Sequence, residues 1–348
     1  MIKKIAILLP YKEKYTLNDA AAASIWVKDY LKKSRLSEQT VVYGNLSSKR
    51  KPLTKNFINL DLSKVKIKKN YFYAKKFYAH CSKNNYEVVE IHNRPESLVY
   101  LLKKNLKSKF IFVYHNNPQD LRYSKTAKER TFIANNCHQI YFVSKWVMKK
   151  FFEGLPFNYK NNCEILYPAI NQLKKFPKKD KLIIFTGKLN SSKGYDIFGK
   201  TILKILDDFP NWSACAIGNE RRETHNFNHK NFKVIDWLPH EKILSYYKKS
   251  SISVVCSRWQ EPFGRTAMES AAYGCATITS DRGGLSETFN NNLILKNVTS
   301  DSLEKLILKV IKNKKYLKKI QEENFKNVIH KIDHLTRKLD NLKCNFLI

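Results

Sequence analysis

No stretch of this 348-residue chain approaches the ~20 consecutive apolar residues of a membrane-spanning helix, so the sequence excludes an integral helical membrane protein. The apolar run near the start, Ile5–Leu9, is too short for a secretory signal and lacks a small-residue cleavage site; it reads as a first buried strand. Seven cysteines stand singly, with no Cys-x-x-Cys pair and no His/Cys cluster at zinc spacing. That excludes a disulfide framework and a sequence-encoded zinc centre, and it points to a reduced, cytoplasmic compartment. No Asp-x-Asp pair occurs, so any anionic ligand is expected to be neutralised by protein cations, with no metal and no cofactor.

Acidic residues are scarce. The chain has 30 Asp and Glu against 64 Lys and Arg, a formal charge of +34. Such an excess fits an anionic partner: nucleic acid, an acidic membrane face or a negatively charged glycolipid. The excess is mostly lysine, runs through every segment and accompanies abundant Asn and Ile, which compositional bias alone would produce. Readers of nucleic acid lean on arginine forks, which are few here, and no nucleic-acid-binding motif is present. Nucleic acid is therefore not an expected partner, whereas an anionic membrane surface is. Two basic-aromatic runs, 64–78 and 145–157, suggest peripheral contact at the inner face, with Trp146, Phe151 and Phe152 reaching headgroups. Packing of those aromatics into a core is the competing reading.

The length suggests two domains, and a 43% hydrophobic content with 20 Phe and 19 Tyr fills two cores. In the first half, apolar runs at Ile5–Leu9, Val41–Tyr43, Val88–Ile91, Phe110–Tyr114 and Gln139–Val143 alternate with helical stretches at Ala20–Lys32, Ala74–Asn84, Pro95–Asn105 and Lys145–Phe152. The second half repeats the pattern, with strands near Lys181–Thr186, Trp212–Ile217, Phe232–Asp236, Ile252–Cys256, Ala276–Thr279 and Asn292–Leu295. Alternation of this kind predicts an α/β chain of two Rossmann-like, doubly wound parallel-sheet domains. The polar, proline-containing segment 173–180 reads as a linker between domains at 1–172 and 181–330, followed by a Lys-rich helical tail at 331–348. Ligands of such sheets sit at the carboxyl ends of the strands.

The densest chemical signal is Glu261-Pro-Phe-Gly-Arg-Thr-Ala-Met-Glu269. A buried strand, Ile252–Cys256, precedes it, Pro262 and Gly264 punctuate a loop, and Thr266–Tyr273 is a run of helix formers. Glu261 then lies at the strand's carboxyl end and Glu269 about one turn inside the helix. The amides of Phe263, Gly264, Arg265 and Thr266 at the helix start, with the helix dipole, are expected to favour a phosphate. An ordinary strand, turn and helix with two solvated glutamates would look the same from these residues alone.

The spacing Glu261-x7-Glu269 with Pro-Phe-Gly after the first glutamate resembles the signature of the retaining nucleotide-sugar glycosyltransferases of family 4, group 1 enzymes with the GT-B fold. Gly283-Gly284-Leu-Ser-Glu287 resembles the family's Gly-Gly-x-x-Glu loop. Phe185-Thr-Gly-Lys-Leu-Asn-Ser-Ser-Lys-Gly194 is similar to its Gly-Arg-Leu…Lys-Gly strand and loop, with Lys188 where the family usually has Arg. Ile217-Gly-Asn-Glu220, Trp237-Leu-Pro-His240 and Tyr167-Pro-Ala-Ile-Asn171 match in order, so the resemblance is strong over roughly residues 165–290 and weaker outside. It implies two domains facing across a cleft, with the last helix crossing back onto the first.

What the resemblance implies for individual residues is specific. Gly187, Lys188 and Lys193 meet the donor diphosphate; Glu269 accepts hydrogen bonds from the ribose hydroxyls; Glu261 meets the donor sugar. Phe263, Gly264, Arg265 and Thr266 offer amides, and Trp237 and Leu238 lie along the base, although a buried aromatic at a strand end would explain Trp237 equally. Glu261, His115, Lys188 and Lys193 form the expected catalytic set, with His115 just past a strand in Phe112–Gln119. The polar loop holding His92, Asn93 and Arg94 supplies acceptor contacts. One departure stands out: the loop from Pro10 to Asp19 lacks the family's glycines, so Asn18 and Asp19 are expected to cap the following helix at the acceptor site.

The resulting expectation is a metal-independent retaining transferase. It would move a hexose from a nucleotide diphosphate sugar to a hydroxyl of a glycan or glycolipid, in lipopolysaccharide or cell-surface polysaccharide assembly. A sugar-nucleotide epimerase or a phosphorylase of the same fold is the alternative, and a basic nucleic-acid-binding protein a distant one.

Overall fold

A computed structural model describes residues 2–46, 50–155, 161–290 and 293–347. The chain divides into two compact units, Met1–Ala169 with Ile332–Ile348, and Ile170–Lys331. Segment 173–180, expected as a linker, is part of the second unit. Lys179 donates from Nζ to the carbonyls of Tyr247 (2.9 Å) and Tyr273 (2.6 Å), Phe176 packs edge-on against Phe325, and Asp180 already opens a strand. The crossings between units fall instead at 169/170 and 331/332.

The first unit holds seven parallel strands: β1 (Ile5–Leu8), β2 (Thr40–Gly44), β3 (Phe57–Asn59), β4 (Val88–His92), β5 (Lys109–Tyr114), β6 (Gln139–Phe142) and β7 (Cys163–Ile165), in the order β3-β2-β1-β4-β5-β6-β7. The central strands are buried throughout, as parallel strands covered by helices on both faces must be, and so they read as largely apolar runs. The edge strands β3 and β7 are three residues long and only partly buried, and they carry no such signal. Helices α1 (Ala22–Lys33), α2 (Lys69–Asn84), α3 (Pro95–Leu102), α4 (Ala127–Asn136) and α5 (Lys145–Phe152) connect the strands. The C-terminal helix Ile332–Phe346 completes this core through Ile332, Leu335 and Leu339. It is tied to α1 by Asp340, whose carboxylate accepts from the Tyr30 hydroxyl (2.8 Å), the Ser34 hydroxyl (2.6 Å) and the Arg35 amide (3.1 Å).

The second unit is a six-stranded parallel sheet in the order β10-β9-β8-β11-β12-β13, comprising β8 (Asp180–Thr186), β9 (Ser213–Ile217), β10 (Phe232–Ile235), β11 (Ser250–Val255), β12 (Ala276–Ser280) and β13 (Ile294–Leu295). Asn292, the expected first residue of the last strand, lies outside the described residues. Helices α6 (Tyr195–Asp208), α7 (His240–Lys249), α8 (Arg265–Ala272), α9 (Ser300–Ile311) and α10 (Lys314–Lys326) flank the sheet. In each sheet the strand order reverses at one point, between β1 and β4 and between β8 and β11. At such a point adjacent loops diverge and open a ligand crevice at the strand ends. None of the seven cysteines, all among the described residues, is in a disulfide.

Candidate functional site

The reversal between β8 and β11 brings the loops 187–194 and 256–264 side by side. The amides of Arg258 and Trp259 both donate to the Ser192 carbonyl, at 2.9 and 3.0 Å. Arg258 also clamps the carboxylate of Asp196, at the start of α6, with two parallel bonds of 2.6 and 2.8 Å. The loops approach so closely that only glycine serves at 194: its φ is +78°, and a Cβ there would lie 2.0 Å from the Cys256 carbonyl oxygen.

Two of the expected catalytic residues meet on this frame. Lys193 Nζ stands 2.5 Å from Glu261 Oε1, joining side chains from the two adjacent loops. Glu261 is buried, and its backbone is fastened to the Gly283-Gly284 loop by a bridge to Gly283 and by the Gly284 amide, 2.6 Å from the Glu261 carbonyl. The third glycine loop of the sequence motif thus serves to fix Glu261. Gly187 continues β8 by donating to the Ile217 carbonyl (3.0 Å), and Lys188 follows it with its side chain exposed.

Helix α8 begins at Arg265, with Gly264 at its cap in the left-handed region (φ +108°) and no side chain capping the first amides. Phe263 is buried against His330, with ring centroids 5.3 Å apart. Glu269, one turn into α8, is buried rather than solvated. Burial alone would raise its pKa; His240 and Arg265 more than offset this and hold the carboxyl at about 2. Both partners engage one oxygen, Oε1: His240 Nε2 lies at 3.0 Å, Arg265 Nε at 3.1 Å and Arg265 Nη2 at 2.8 Å. Oε2 has no partner among the described residues. A carboxylate fixed through one oxygen and open at the other is oriented to accept a hydroxyl hydrogen bond. The sequence reading missed His240 as the orienting group; its signal was the Trp237-Leu-Pro-His240 turn, which delivers the histidine at the first position of α7.

Trp237 is not the buried aromatic that a strand end would predict. It is 51% exposed, its amide donating to Asp236 Oδ1 (2.7 Å), and Leu238 beside it is half-buried.

In the first unit, the ends of β4 and β5 place His92 and His115 together. His92 Nδ1 is 2.8 Å from His115 Nε2, and His92 Nε2 is 2.7 Å from Glu90 Oε1. Glu90 Oε2 lies 2.7 Å from Lys343 Nζ of the C-terminal helix, and both side chains are fully buried. With Glu90 ionised, His92 donates from Nε2, so a neutral His92 accepts at Nδ1 and His115 donates from Nε2. Burial would raise the Glu90 pKa; the Lys343 ammonium and His92 bring it down to about 2. Trp26 packs its ring edge-on against both imidazoles.

This arrangement corrects three expectations. His92 is enclosed and bonded at both ring nitrogens, so it orients His115 instead of touching an acceptor. Asn93, buried at φ +53°, spends its side-chain oxygen on the amides of His115 (3.2 Å) and Asn116 (3.1 Å). Asn18 and Asp19 do not cap α1: the cap position is Ala21, without a side-chain bond, and Glu13 takes that role by accepting from the Ser24 amide (3.1 Å) and hydroxyl (3.4 Å). Asp19 instead pairs with Arg50. Burial raises the Glu13 carboxyl above its ordinary range. Arg94 remains half-buried, with Nη1 donating to the Asn93 carbonyl (3.0 Å).

Of the aromatics expected at a membrane, Phe151 is core, packed against Tyr114 and Phe142, and Phe152 leans on both Phe142 and Phe151. Phe157, in the same run, lies outside the described residues. Among the described residues no helix is long and apolar enough to cross a membrane, and no group of three or more His, Cys, Asp or Glu side chains is placed to hold a metal ion.

Comparison with known proteins agrees with this fold. Residues 168–327 match the family of glycosyl transferases group 1. Spore coat protein SA of Bacillus subtilis is 23% identical over 288 residues, 73% of each chain. Sucrose-phosphate synthase from Thermosynechococcus elongatus superimposes with a TM-score of 0.77 at 14% identity, over 99% of this chain and 98% of that one. HepE of Anabaena, solved in complex with UDP-glucose, gives 0.75 at 11% identity, over 98% and 99%. The chain thus has the GT-B fold, and within it residues 168–327 match the group 1 glycosyl transferases.

Proposed function

We propose that the protein transfers a hexose from a nucleotide diphosphate sugar to a hydroxyl of a glycan or glycolipid, with retention at the anomeric carbon and without a metal ion. The observation that carries this reading is the buried Glu269, held at Oε1 by His240 and Arg265 and open at Oε2, on the same helix whose start follows Glu261. An ionised carboxylate so fixed suits a ribose diol. Lys193 and Lys188, with the amides of Gly264, Arg265 and Thr266 at the start of α8, are the groups proposed to stabilise charge building on the departing diphosphate. The Lys193–Glu261 pair keeps the ammonium in place until a phosphate competes for it. Glu261 and the amides of Phe263 and Gly264 are assigned to the donor sugar, Gly187 to close passage of the diphosphate, and Trp237 and Leu238 to the base.

In the first unit His115 is the proposed catalytic histidine, with its tautomer set by His92 and Glu90. Asn93 and Arg94 shape the acceptor loop, and we assign the reaction to lipopolysaccharide or other cell-surface polysaccharide assembly in the cytoplasm. Attraction of surface lysines to anionic lipid at the inner membrane face is part of this proposal; sedimentation with anionic vesicles that is absent at every salt concentration would remove it.

The donor that HepE is solved with, UDP-glucose, makes nucleotide sugars the first panel to test. Release of nucleoside diphosphate from UDP-, GDP- and ADP-hexoses, stimulated by glycan acceptors, is the expected result. No release from any of them overturns the proposal. An inverted anomer in the product, read by proton NMR, overturns retention, and activity lost to chelator and restored by Mg2+ overturns metal independence.

A further inference from the structure

Two adjoining cavities lie in the first unit, the smaller of them sharing Asn93 and Arg94 with the residues assigned so far. The larger, about 470 Å3, has four tyrosines in its wall: Tyr11, Tyr71, Tyr100 and Tyr123. Tyr71 is 49% exposed and meets Tyr100 edge to face, 5.5 Å between centroids. The smaller, about 220 Å3, shares Tyr11, Asn70, Glu96 and Arg122 with it and adds Lys12 and Arg94. The cationic side chains around the pair are Lys12, Lys68, Lys69, Arg94, Lys103 and Arg122; the carboxylates are Glu96 and Asp120.

Three independent features mark this as a built site. Arg94 Nε and Asn70 Oδ1 are buried polar atoms without a hydrogen-bond partner among the described residues, and both residues line the smaller cavity. A buried polar atom left without a partner is costly, so a ligand that satisfies both gains affinity. Second, Lys68, Asn93 and Tyr123 on these walls hold left-handed backbone at φ +50°, +53° and +65°; for a residue as bulky as tyrosine this is strain, which collects at binding sites. Third, aromatic faces beside a cationic chamber match a ligand that is apolar on one face, hydroxylated, and negatively charged at one end.

We infer that this double cavity binds an anionic sugar, a hexose unit bearing a phosphate or carboxylate, as the recognised portion of the acceptor. The inference rests on the transferase reading. In it the sugar ring lies on the tyrosines while Arg94 and Arg122 take the anionic group, and Asn70 Oδ1 accepts a ring hydroxyl.

Isothermal titration calorimetry of the full chain with glucose 6-phosphate, glucuronic acid, glucose and inorganic phosphate tests it. At least one anionic sugar should bind tenfold or more tightly than both glucose and inorganic phosphate. Tyr71→Ala and Arg122→Ala, both at exposed side chains, should each weaken that binding at least fivefold while leaving nucleoside diphosphate binding unchanged. Equal affinity for inorganic phosphate reduces the site to a surface anion site, and equal affinity for glucose removes the charge recognition; either overturns the inference, as does binding unaffected by both variants. Binding of nucleoside diphosphates with no binding of any anionic sugar sinks this inference alone. Binding of the anionic sugar with no nucleoside diphosphate bound upholds the pocket and sinks the donor assignment.

Discussion

Glu269→Gln keeps the shape of the side chain and an acceptor oxygen but removes the charge, and the structure sets the size of the effect. In the folded protein the carboxyl is held at about 2 against an ordinary 4.5, a difference that corresponds to roughly 3 kcal/mol of stabilisation at neutral pH. Because the folded-state pKa is the lower one, this stabilisation is present above pH ~4.5 and is lost as pH falls towards ~2. The amide should therefore unfold the second unit about 3 kcal/mol more readily at pH 7, and the difference from wild type should shrink under acid conditions. Binding is affected separately. A hydrogen bond to a charged acceptor contributes about 1.5–3 kcal/mol, so nucleoside diphosphate affinity should fall about 10- to 150-fold. Comparing ribonucleoside diphosphates with 2′,3′-dideoxy analogues by calorimetry isolates the contact: wild type should discriminate strongly and the variant weakly. A variant that discriminates between the two as well as wild type does would refute the assignment of Oε2 to the ribose.

The buried pair of Glu90 and Lys343 should behave as a unit. Glu90→Gln and Lys343→Met should each cost about 3–5 kcal/mol by stranding a partner, and the double variant should cost less than the sum, as read by urea unfolding followed through Trp26, the indole packed on His92. Lys193→Ala should lower kcat by about 10²–10³ if its ammonium meets the leaving diphosphate, whereas loss in KM alone would assign it to ground-state binding. Glu261→Ala should lower turnover more than donor affinity, and wild-type kcat in this variant would remove Glu261 from the donor sugar. Gly194→Ala should destabilise the second unit in a thermal melt, since its Cβ would collide with the Cys256 carbonyl; an unchanged melt would contradict the close approach of the two loops.

Much of this was readable from residue order because parallel sheets impose it. β1, β4, β5, β8 and β11 are buried on both faces and so appear as apolar runs, and helix α8 was placed to within a residue by its helix formers after Pro262 and Gly264. Glu269 was correctly located on that helix, but its partner His240 was invisible, since nothing local in a turn before α7 indicates which side chain it will meet. The same limit hid Lys343. A lysine in a lysine-rich amphipathic helix reads as solvated, and only the fold, by bringing it to a glutamate some 250 positions earlier, makes it buried. Glu90 was concealed inside a run read as plain strand. The double cavity went unseen for a related reason: Tyr11, Tyr71, Tyr100 and Tyr123 come from four separate segments, and each alone is an unremarked aromatic. The cap of α1 was misassigned because Asn18 and Asp19 had the right chemistry at the right distance, while the side chain that reaches the amide, Glu13, sits further back along the loop.

The placement of residues 332–347 carries a consequence for biosynthesis. The ribosome must make all of the second unit before it delivers the helix that fills the first unit's core. Until then Glu90 has no ammonium to face, Tyr30 and Ser34 lack the Asp340 acceptor, and the early-made sheet waits with an uncovered flank. The first unit of a nascent chain should thus complete its core only after the second unit has been made, a departure from the usual N-terminal-first order of domain folding.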